Sequence, residues 1–339
     1  MMIQQAIGKA LRRQDLAEHE AEGAMDEIMR GEATPAQIGG FLAAMATKGE
    51  TAGEIAGCAR AMRRVATPVP ARAAPLLDTC GTGGDGAGTF NISTTAAFVV
   101  AAAGMPVAKH GNRSVSSRCG SADVLAALGV RIELSPEGMA ACVDRVGIGF
   151  LYAPALHPAM KHAMPARREL GVRTVFNVLG PLTNPAGATV QVLGVYAPEL
   201  VEKVAQVLLA LGAEAAYVIH GAGGLDELST IGPNLVAEVR AGRVRSFLLD
   251  PADLGLARGD LASLQGGDAA ANADLVRRVL AGEGGPRRDA VLLNAAAALS
   301  AAGRVPDLPA GLALAADAVD SGRAQRMLDR LIAFSREAA

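Results

Sequence analysis

The sequence predicts an α/β protein in two parts, a small all-helical domain followed by a larger α/β domain with a mainly parallel central sheet. Three observations lead there. Residues 1–66 carry helical patterns and helix caps only. A connector rich in proline follows, with Pro68, Pro70 and Pro75 close together, and marks a candidate hinge. From Leu76 onward, short apolar runs alternate with helical patterns, as in strand–helix–strand units covered on both faces.

The helical part is justified by its caps. Thr34-Pro35-Ala36-Gln37 and Thr51-Ala52-Gly53-Glu54 are capping boxes, and Pro35 stands at the first helical position, where its missing N–H costs nothing. The helix carrying Ile55, Cys58, Ala59 and Met62 must stop near Thr67-Pro68. In the second part, strands are expected at Leu76 to Thr79, Pro106 to Lys109, Arg131 to Leu134 and Ile148 to Tyr152. Helices are expected at Ile92 to Ala103, Ala122 to Leu128 and Pro136 to Val146. The stretch from His157 to Pro185 breaks this rhythm with four prolines and the basic pair Arg167-Arg168. Strand and helix resume with Val190 to Tyr196, Pro198 to Leu211 and Ala215 to His220. Leu235 to Arg240 and Arg243 to Leu249 read as a hairpin, and the chain is helical from Asp268 onward.

Composition excludes several classes. With 32 Lys or Arg against 34 Asp or Glu, the net charge of −2 leaves no electrostatic footprint for nucleic acid. Aromatics make up 3% and Trp is absent, which removes stacking platforms for bases. A hydrophobic share of 50% in 339 residues excludes disorder and suits two domains or one large one. Mean hydropathy is +0.27. The longest uncharged apolar stretch, Ala96 to Ala108, contains Gly104 and Pro106 and falls short of the roughly 20 residues a membrane span needs. It is expected to be a buried helix running into a strand. Met1 to Ala10 has neither the basic start nor the apolar core of a signal peptide, and Cys58, Cys80, Cys119 and Cys142 fit no metal or redox spacing. A cytoplasmic protein with reduced cysteines is expected.

The chemistry concentrates in three segments. The first is DTCGTGGDGAGTFNIST, Asp78 to Thr94. Gly81, Gly83 and Gly86 satisfy GxGxxG, but no acid follows at the distance a dinucleotide ribose requires, and no GK[ST] closes a P-loop. Glycines after a strand expose peptide N–H groups to one anion, and Asn91, Ser93 and Thr94 then open a helix. A phosphate or pyrophosphate is the natural guest. The second, KHGNRSVSSRCGS from Lys109 to Ser121, brings cations and hydroxyls to the mouth of a parallel sheet. The third, HGAGGLDELST from His220 to Thr230, carries the acidic pair Asp226-Glu227, suited to a hard cation such as Mg²⁺. The histidines form no zinc spacing.

GTGGDG at 81–86, NIST at 91–94, KHGNRSVSS at 109–117, HPAMKHAMPARRELGVRTVFNVLGPLTNPA at 157–186 and HGAGGLDELS at 220–229 together resemble the anthranilate phosphoribosyltransferases, in order over nearly the whole chain. One departure is Arg118-Cys119, where a Lys and a small residue are expected. The resemblance implies a fold shared with pyrimidine nucleoside phosphorylases. It implies a helical domain over 1–70 with a return segment near 165–185, an α/β domain over 71–339, and a homodimer formed through the helical domain. It further implies that Gly81, Gly84, Asp85, Thr89, Asn91, Ile92, Ser93 and Thr94 hold phosphoribosyl pyrophosphate. Lys109, His110, Gly111, Asn112, Arg113, Ser114, Val115, Ser116, Ser117 and Ser121 should close over it. Ser93, Asp226 and Glu227 should bind Mg²⁺, with two ions per subunit, while Gly81, Asn112 and Arg167 should meet anthranilate. Lys109, Asn112 and Arg167 are the expected catalytic group. His110 is a candidate general base only through its place in the motif. Two other readings remain open: a nucleoside phosphorylase-like enzyme, which should lack the Arg167 block, and a non-catalytic nucleic-acid-binding homologue, which should lack Asp226 and Glu227.

Overall fold

The computed structural model describes residues 1–114 and 118–338. Four helices open the chain: α1 (Met2–Leu11), α2 (Glu18–Met29), α3 (Pro35–Lys48) and α4 (Ala52–Val65). Both capping boxes form. Gln37 N–H donates to Thr34 Oγ1 while Thr34 N–H donates to Gln37 Oε1, and Thr51 and Glu54 repeat the exchange. The apolar faces meet around Ile3, Met25, Ile28, Phe41, Leu42 and Ile55.

A seven-stranded sheet follows, with β1 (Leu77–Gly81), β2 (Val107–Gly111), β3 (Ile148–Tyr152), β4 (Val190–Gly194), β5 (Ala215–His220), β6 (Asn234–Arg240) and β7 (Arg243–Leu249). Their order is β3-β2-β1-β4-β5-β6-β7. The first five strands run parallel, and β6 and β7 are antiparallel. The hairpin between β6 and β7 turns on Ala241 and Gly242, both at the positive φ that a two-residue turn requires.

Alternation along the strands divides the core. Val190, Val192, Tyr217, Ile219 and Val236 face one layer, built from α5 (Ile92–Ala102) and the C-terminal helices. Leu193, Ala216, Val218, Ala237 and Val239 face the other, where the helix Leu200–Ala210 and the N-terminal helices pack. Period two on a doubly covered sheet is what this pattern means. The N-terminal helices therefore share a continuous apolar core with the larger unit, and Ala163, Ala166, Val175, Phe176, Leu179 and Leu182 of the proline-rich block join it. Arg63 Nε donates to Leu182 O at 2.7 Å and ties α4 to that block.

Two expectations change. Arg131 to Leu134 forms no strand, because the Arg131 N–H donates to the Ser335 hydroxyl of the C-terminal helix instead of to a neighbouring strand. The connector is strapped down rather than free: Thr67 N–H donates to Leu156 O, Val69 N–H to Pro185 O, and Arg72 and Ala73 N–H to Asp144. Among the described residues no helix is long and apolar enough to cross a membrane.

The helical part hinges on one buried carboxylate. Glu54 is 0% exposed and accepts from Leu16 N, Thr51 N and Lys48 Nζ, at 2.8, 2.7 and 2.9 Å. Glu54→Ala would leave a nearly buried ammonium and two N–H groups without this partner. A loss of about 3–5 kcal/mol in denaturant unfolding is expected, and a loss below about 1 kcal/mol would contradict this account. Glu54→Gln, which keeps an acceptor, should cost less.

Candidate active site

The strand order reverses between β1 and β4, and the loops leaving their carboxyl ends open the crevice where α/β sheets bind ligands. Three chain segments meet there: the glycine loop between β1 and α5, the end of β2, and the loop that follows β5. A small cavity where the ends of β1 and β4, the start of α5 and the loop after β5 come together is lined by Thr79, Ser93, Gly194, Asp226, Glu227 and Asn294.

The glycine loop is shaped by Gly83, Gly84, Gly86 and Gly88, all at positive φ. Gly83 N–H donates to Asp226 Oδ2 at 2.7 Å, and Thr82 N–H donates to Gly194 O at 2.8 Å. Asp85 Oδ1 accepts from Ala87 N–H, and Thr89 bridges to Gln265, whose side chain donates to Ala87 O. At the start of α5, Ser93 N–H donates to Glu227 Oε1 at 2.8 Å. A carboxylate thus sits at the positive end of the helix. Asn91 does not cap by its side chain; it is held by Asn272 and by Cys119 O instead. The Cys119 thiol lies against Asn91 Oδ1, so the departure at Arg118-Cys119 puts a weak donor beside this helix end. Ile92 and Thr94 are buried in the core.

The acidic pair reaches this point because three glycines stand aside. A Cβ on Gly194 would lie 1.4 Å from the Asp226 carbonyl oxygen, one on Gly81 2.2 Å from Asp226 Oδ2, and one on Gly221 2.0 Å from the Glu227 carbonyl oxygen. Two buried asparagines fix the loop from behind. Asn294 exchanges hydrogen bonds with both Leu228 N–H and Leu228 O, and Asn234 Oδ1 accepts from Ala222 and Ser229 N–H. Burial raises the pKa of Asp226, with the nearby Asp85 charge adding to it. Burial and then Asp226 raise that of Glu227. Glu227 Oε2 is buried without a hydrogen-bond partner. Crowded, desolvated carboxylates with an idle oxygen are the mark of a site completed by a cation. Among the described residues no three His, Cys, Asp or Glu side chains close an all-protein cage. The donor set is two carboxylates and the Ser93 hydroxyl, which suits Mg²⁺ sharing its remaining positions with phosphate oxygens and water.

Lys109 is 3% exposed and lies under the site rather than at its open mouth. Its ammonium donates to Thr79 O and stands 3.5 Å from Ser93 Oγ, and burial lowers its pKa. His110 Nδ1 faces Gly180 O and its Nε2 faces His157 Nε2, both at 3.2 Å. Beyond Gly111, Asn112 Oδ1 accepts from Arg113 N–H, and Asn112 O accepts from Ser121 Oγ. Asp123 holds the turn by accepting from Arg113, Ser114 N–H and Gly120 N–H. Val115, Ser116 and Ser117 lie outside the described residues. Arg167 stands apart on the helix Met164–Leu170, its guanidinium 4.9 Å over the Phe176 ring and its pKa lowered by burial. No described residue forms an ion pair with it.

Sequence reasoning missed Arg173, which donates to Gly84 O while stacking 4.0 Å over Tyr196. It also missed Asn234, Asn294 and Asp123. Only Asn294 left a signal, as the lone amide in the apolar run from Ala290 to Ala301.

Residues 4–66 match the helical bundle domain of the glycosyl transferase family and residues 73–325 match its a/b domain. The anthranilate phosphoribosyltransferase of Desulforudis audaxviator is 60% identical over 334 residues, spanning 98% of this chain and 96% of that protein. The crystal structure of the Thermus thermophilus anthranilate phosphoribosyltransferase superposes with a TM-score of 0.93 at 50% identity, over 98% of this chain and 99% of that one. The Saccharomyces cerevisiae enzyme, solved in complex with PRPP and Mg, gives a TM-score of 0.89 at 28% identity, over 99% and 98% of the two chains.

Gly194→Ala is expected to push the 226–227 loop off β4, costing about 3 kcal/mol or more. Hydrogen exchange at the Gly83 and Ser93 amides should rise with it, and unchanged protection there would refute the close-approach account. The histidine pair gives a second expectation. Burial pushes His110 down to about 3 and His157 to about 4, while both titrate near 6.5 when unfolded. Between pH 6.5 and 4 the unfolded chain binds protons that the folded chain refuses. Stability contributed by each neutral imidazole is present above pH 6.5 and lost on acidification, by at most about 1.4 kcal/mol per pH unit. Urea unfolding of His157→Gln against the parent should show the difference shifting in favour of the variant from pH 7 to pH 5.

Proposed function

The chain belongs to the glycosyl transferase family whose two domains it matches over nearly its whole length, and on that premise we infer its reaction and its site. It is an anthranilate phosphoribosyltransferase: it transfers the phosphoribosyl group of phosphoribosyl pyrophosphate to the amine of anthranilate, yielding N-(5-phosphoribosyl)anthranilate and pyrophosphate, a step of tryptophan biosynthesis. The observation that carries the site assignment is Glu227 Oε2, buried and unpartnered beside Asp226 and the start of α5.

Ser93, Asp226 and Glu227 would hold Mg²⁺, which when bound offsets the charge on the pyrophosphate as it leaves. Asp85, whose charge acts on both carboxylates of the pair, supports the expectation of a second ion. The remaining work falls to the chain. The glycine loop from Gly81 through Gly84 and Asp85 to Thr89, and the α5 entry Asn91, Ile92, Ser93 and Thr94, shape a pocket for the sugar diphosphate with backbone donors and the helix dipole. Lys109 supplies a fixed positive charge from beneath. Gly111 to Ser114 and Ser121 would close over the ligand together with Val115, Ser116 and Ser117, which lie outside the described residues, while His110 is buried behind them. Gly81, Asn112 and Arg167 receive anthranilate, and the guanidinium of Arg167, held by the Met164 sulfur and the Phe176 ring and without an ion pair among the described residues, would pair with its carboxylate as a planar fork.

The aromatic amine is neutral at physiological pH, so attack at C1 of the ribose needs no strong base. His110 is poorly suited to be one. Its pKa is pushed down to about 3, and both ring nitrogens are engaged by Gly180 O and His157. Catalysis then rests on placing the amine opposite the departing pyrophosphate and on stabilising the charge that develops there. A homodimer formed through the helical domain would cover Met1, Met2 and Leu11, apolar side chains exposed at the start of the chain. A cytoplasmic setting agrees with this substrate pair.

The test is loss of anthranilate fluorescence on incubation with phosphoribosyl pyrophosphate and Mg²⁺. No loss, with or without metal, would refute the reaction. Arg167→Lys should raise KM for anthranilate by about 10-fold or more while leaving KM for the sugar diphosphate near its parent value, because a point charge replaces a bidentate fork. A rise confined to the sugar diphosphate would move Arg167 to the other substrate.

A further inference from the structure

β1 meets β4 along its whole length, with Leu77, Asp78, Thr79, Cys80 and Gly81 each opposite a partner, but its register with β2 rests on Leu77 opposite Val107 alone. Beyond that pair the seam between β1 and β2 is stitched by side chains. Asp78 is 0% exposed, and its Oδ1 accepts from His110 N–H at 3.2 Å. Its Oδ2 accepts from Asn184 Nδ2 at 2.8 Å. The same Asn184 Nδ2 donates to Ala108 O at 2.8 Å, and Asn184 Oδ1 accepts from Ala186 N–H at 2.9 Å. Lys109 Nζ reaches across the seam to Thr79 O. One carboxylate and one amide therefore join three segments: the strand that feeds the glycine loop, the strand that carries Lys109 and His110, and the end of the block that carries Arg167.

We propose that Asp78 and Asn184 are positioning residues that set the register between the β1–β2 edge holding the sugar diphosphate and the 157–186 block holding the acceptor. The proposal rests on the functional reading above for what each side binds. Neither residue lines the cleft, so each substrate's own contacts survive their loss. What changes is the relative placement of the two halves, and a displacement of about 1 Å between reacting groups costs on the order of 100-fold in rate.

The experiment is Asn184→Ala in the full-length protein, with Asp78→Asn as second variant in case the first does not fold. A folded Asn184→Ala protein is expected to lose about 10- to 100-fold in kcat, with binary dissociation constants for anthranilate and for phosphoribosyl pyrophosphate within threefold of the parent. Asp78→Asn, whose single amide oxygen cannot accept from both the His110 N–H and Asn184 Nδ2, is expected to show the same fall in kcat with binary affinities kept. Selective ¹⁵N-histidine labelling supplies a readout independent of turnover, because the His110 amide signal must move in either variant. Unchanged kcat, binary affinities that fall in parallel with kcat, or an unmoved His110 signal would each overturn the proposal. A parent protein that forms no product refutes the functional reading instead, and the His110 signal then still decides whether the seam is held as described.

Discussion

The site depends on how closely the loop carrying Asp226 and Glu227 can lie on the sheet. The Asp226 backbone runs against the end of β4 and its carboxylate against the end of β1, while the Glu227 carbonyl folds back on Gly221, at distances no side chain allows; Gly194, Gly81 and Gly221 are the residues that permit it. Once there, Asp226 takes the Gly83 N–H and Glu227 takes the Ser93 N–H. Two loops distant in sequence thereby define one pocket. Moving the acidic loop outward would release the glycine loop and the start of α5 together, so the proposed phosphate and cation sites share one geometric origin.

The cost of that arrangement is electrostatic. Asp85, Asp226 and Glu227 crowd negative charge together, and the Gly83 and Ser93 N–H groups, Lys109 and the α5 dipole oppose it. Lys109 is itself buried, and the charges of Asp78, Glu227 and Asp226 all favour its protonated form against desolvation. The result is a layered charge pattern, with Asp78 at the bottom, Lys109 above it and the acidic pair nearest the cleft. The proposed cation and phosphate ligands would complete it. This explains how a chain of net charge −2 can bind a highly phosphorylated sugar without a basic surface.

Legibility followed sequence distance. The capping boxes, the strand–helix alternation, the hairpin at Ala241-Gly242, the glycine loop and the acidic pair are local patterns, and local physics fixes them. Arg131 to Leu134 looked like a strand because it is a short run with apolar Ile132 and Leu134 between two helical patterns; whether it pairs depends on Ser335 at the far end of the chain. Asp78 meets Asn184 across 106 positions, and Arg173 meets Gly84 across 89. Nothing within either local stretch announces such a partner. Lys109 was legible as a cation of the site but not as a buried one, because its depth is set by the opening between β1 and β2. The glycines show the same limit: their abundance was plain, and their reason lies in what passes over them.

The 157–186 block shows why the two parts of the molecule are not independent. Its apolar residues complete the core of the N-terminal helices, while Gly180, Pro181 and Asn184 hydrogen-bond to residues of β1, β2 and β4. Leu182 O receives Arg63 of α4. A motion of the helices toward the sheet must therefore move this block, and with it Arg167 on one side and the His157–His110 contact on the other. The connector cannot act as a loose tether, since Val69 is bonded to Pro185 of the same block. A shift of the helices would thus be passed to Arg167 and His157 through named contacts, and the proposed Asp78–Asn184 seam would set how much of it reaches Lys109.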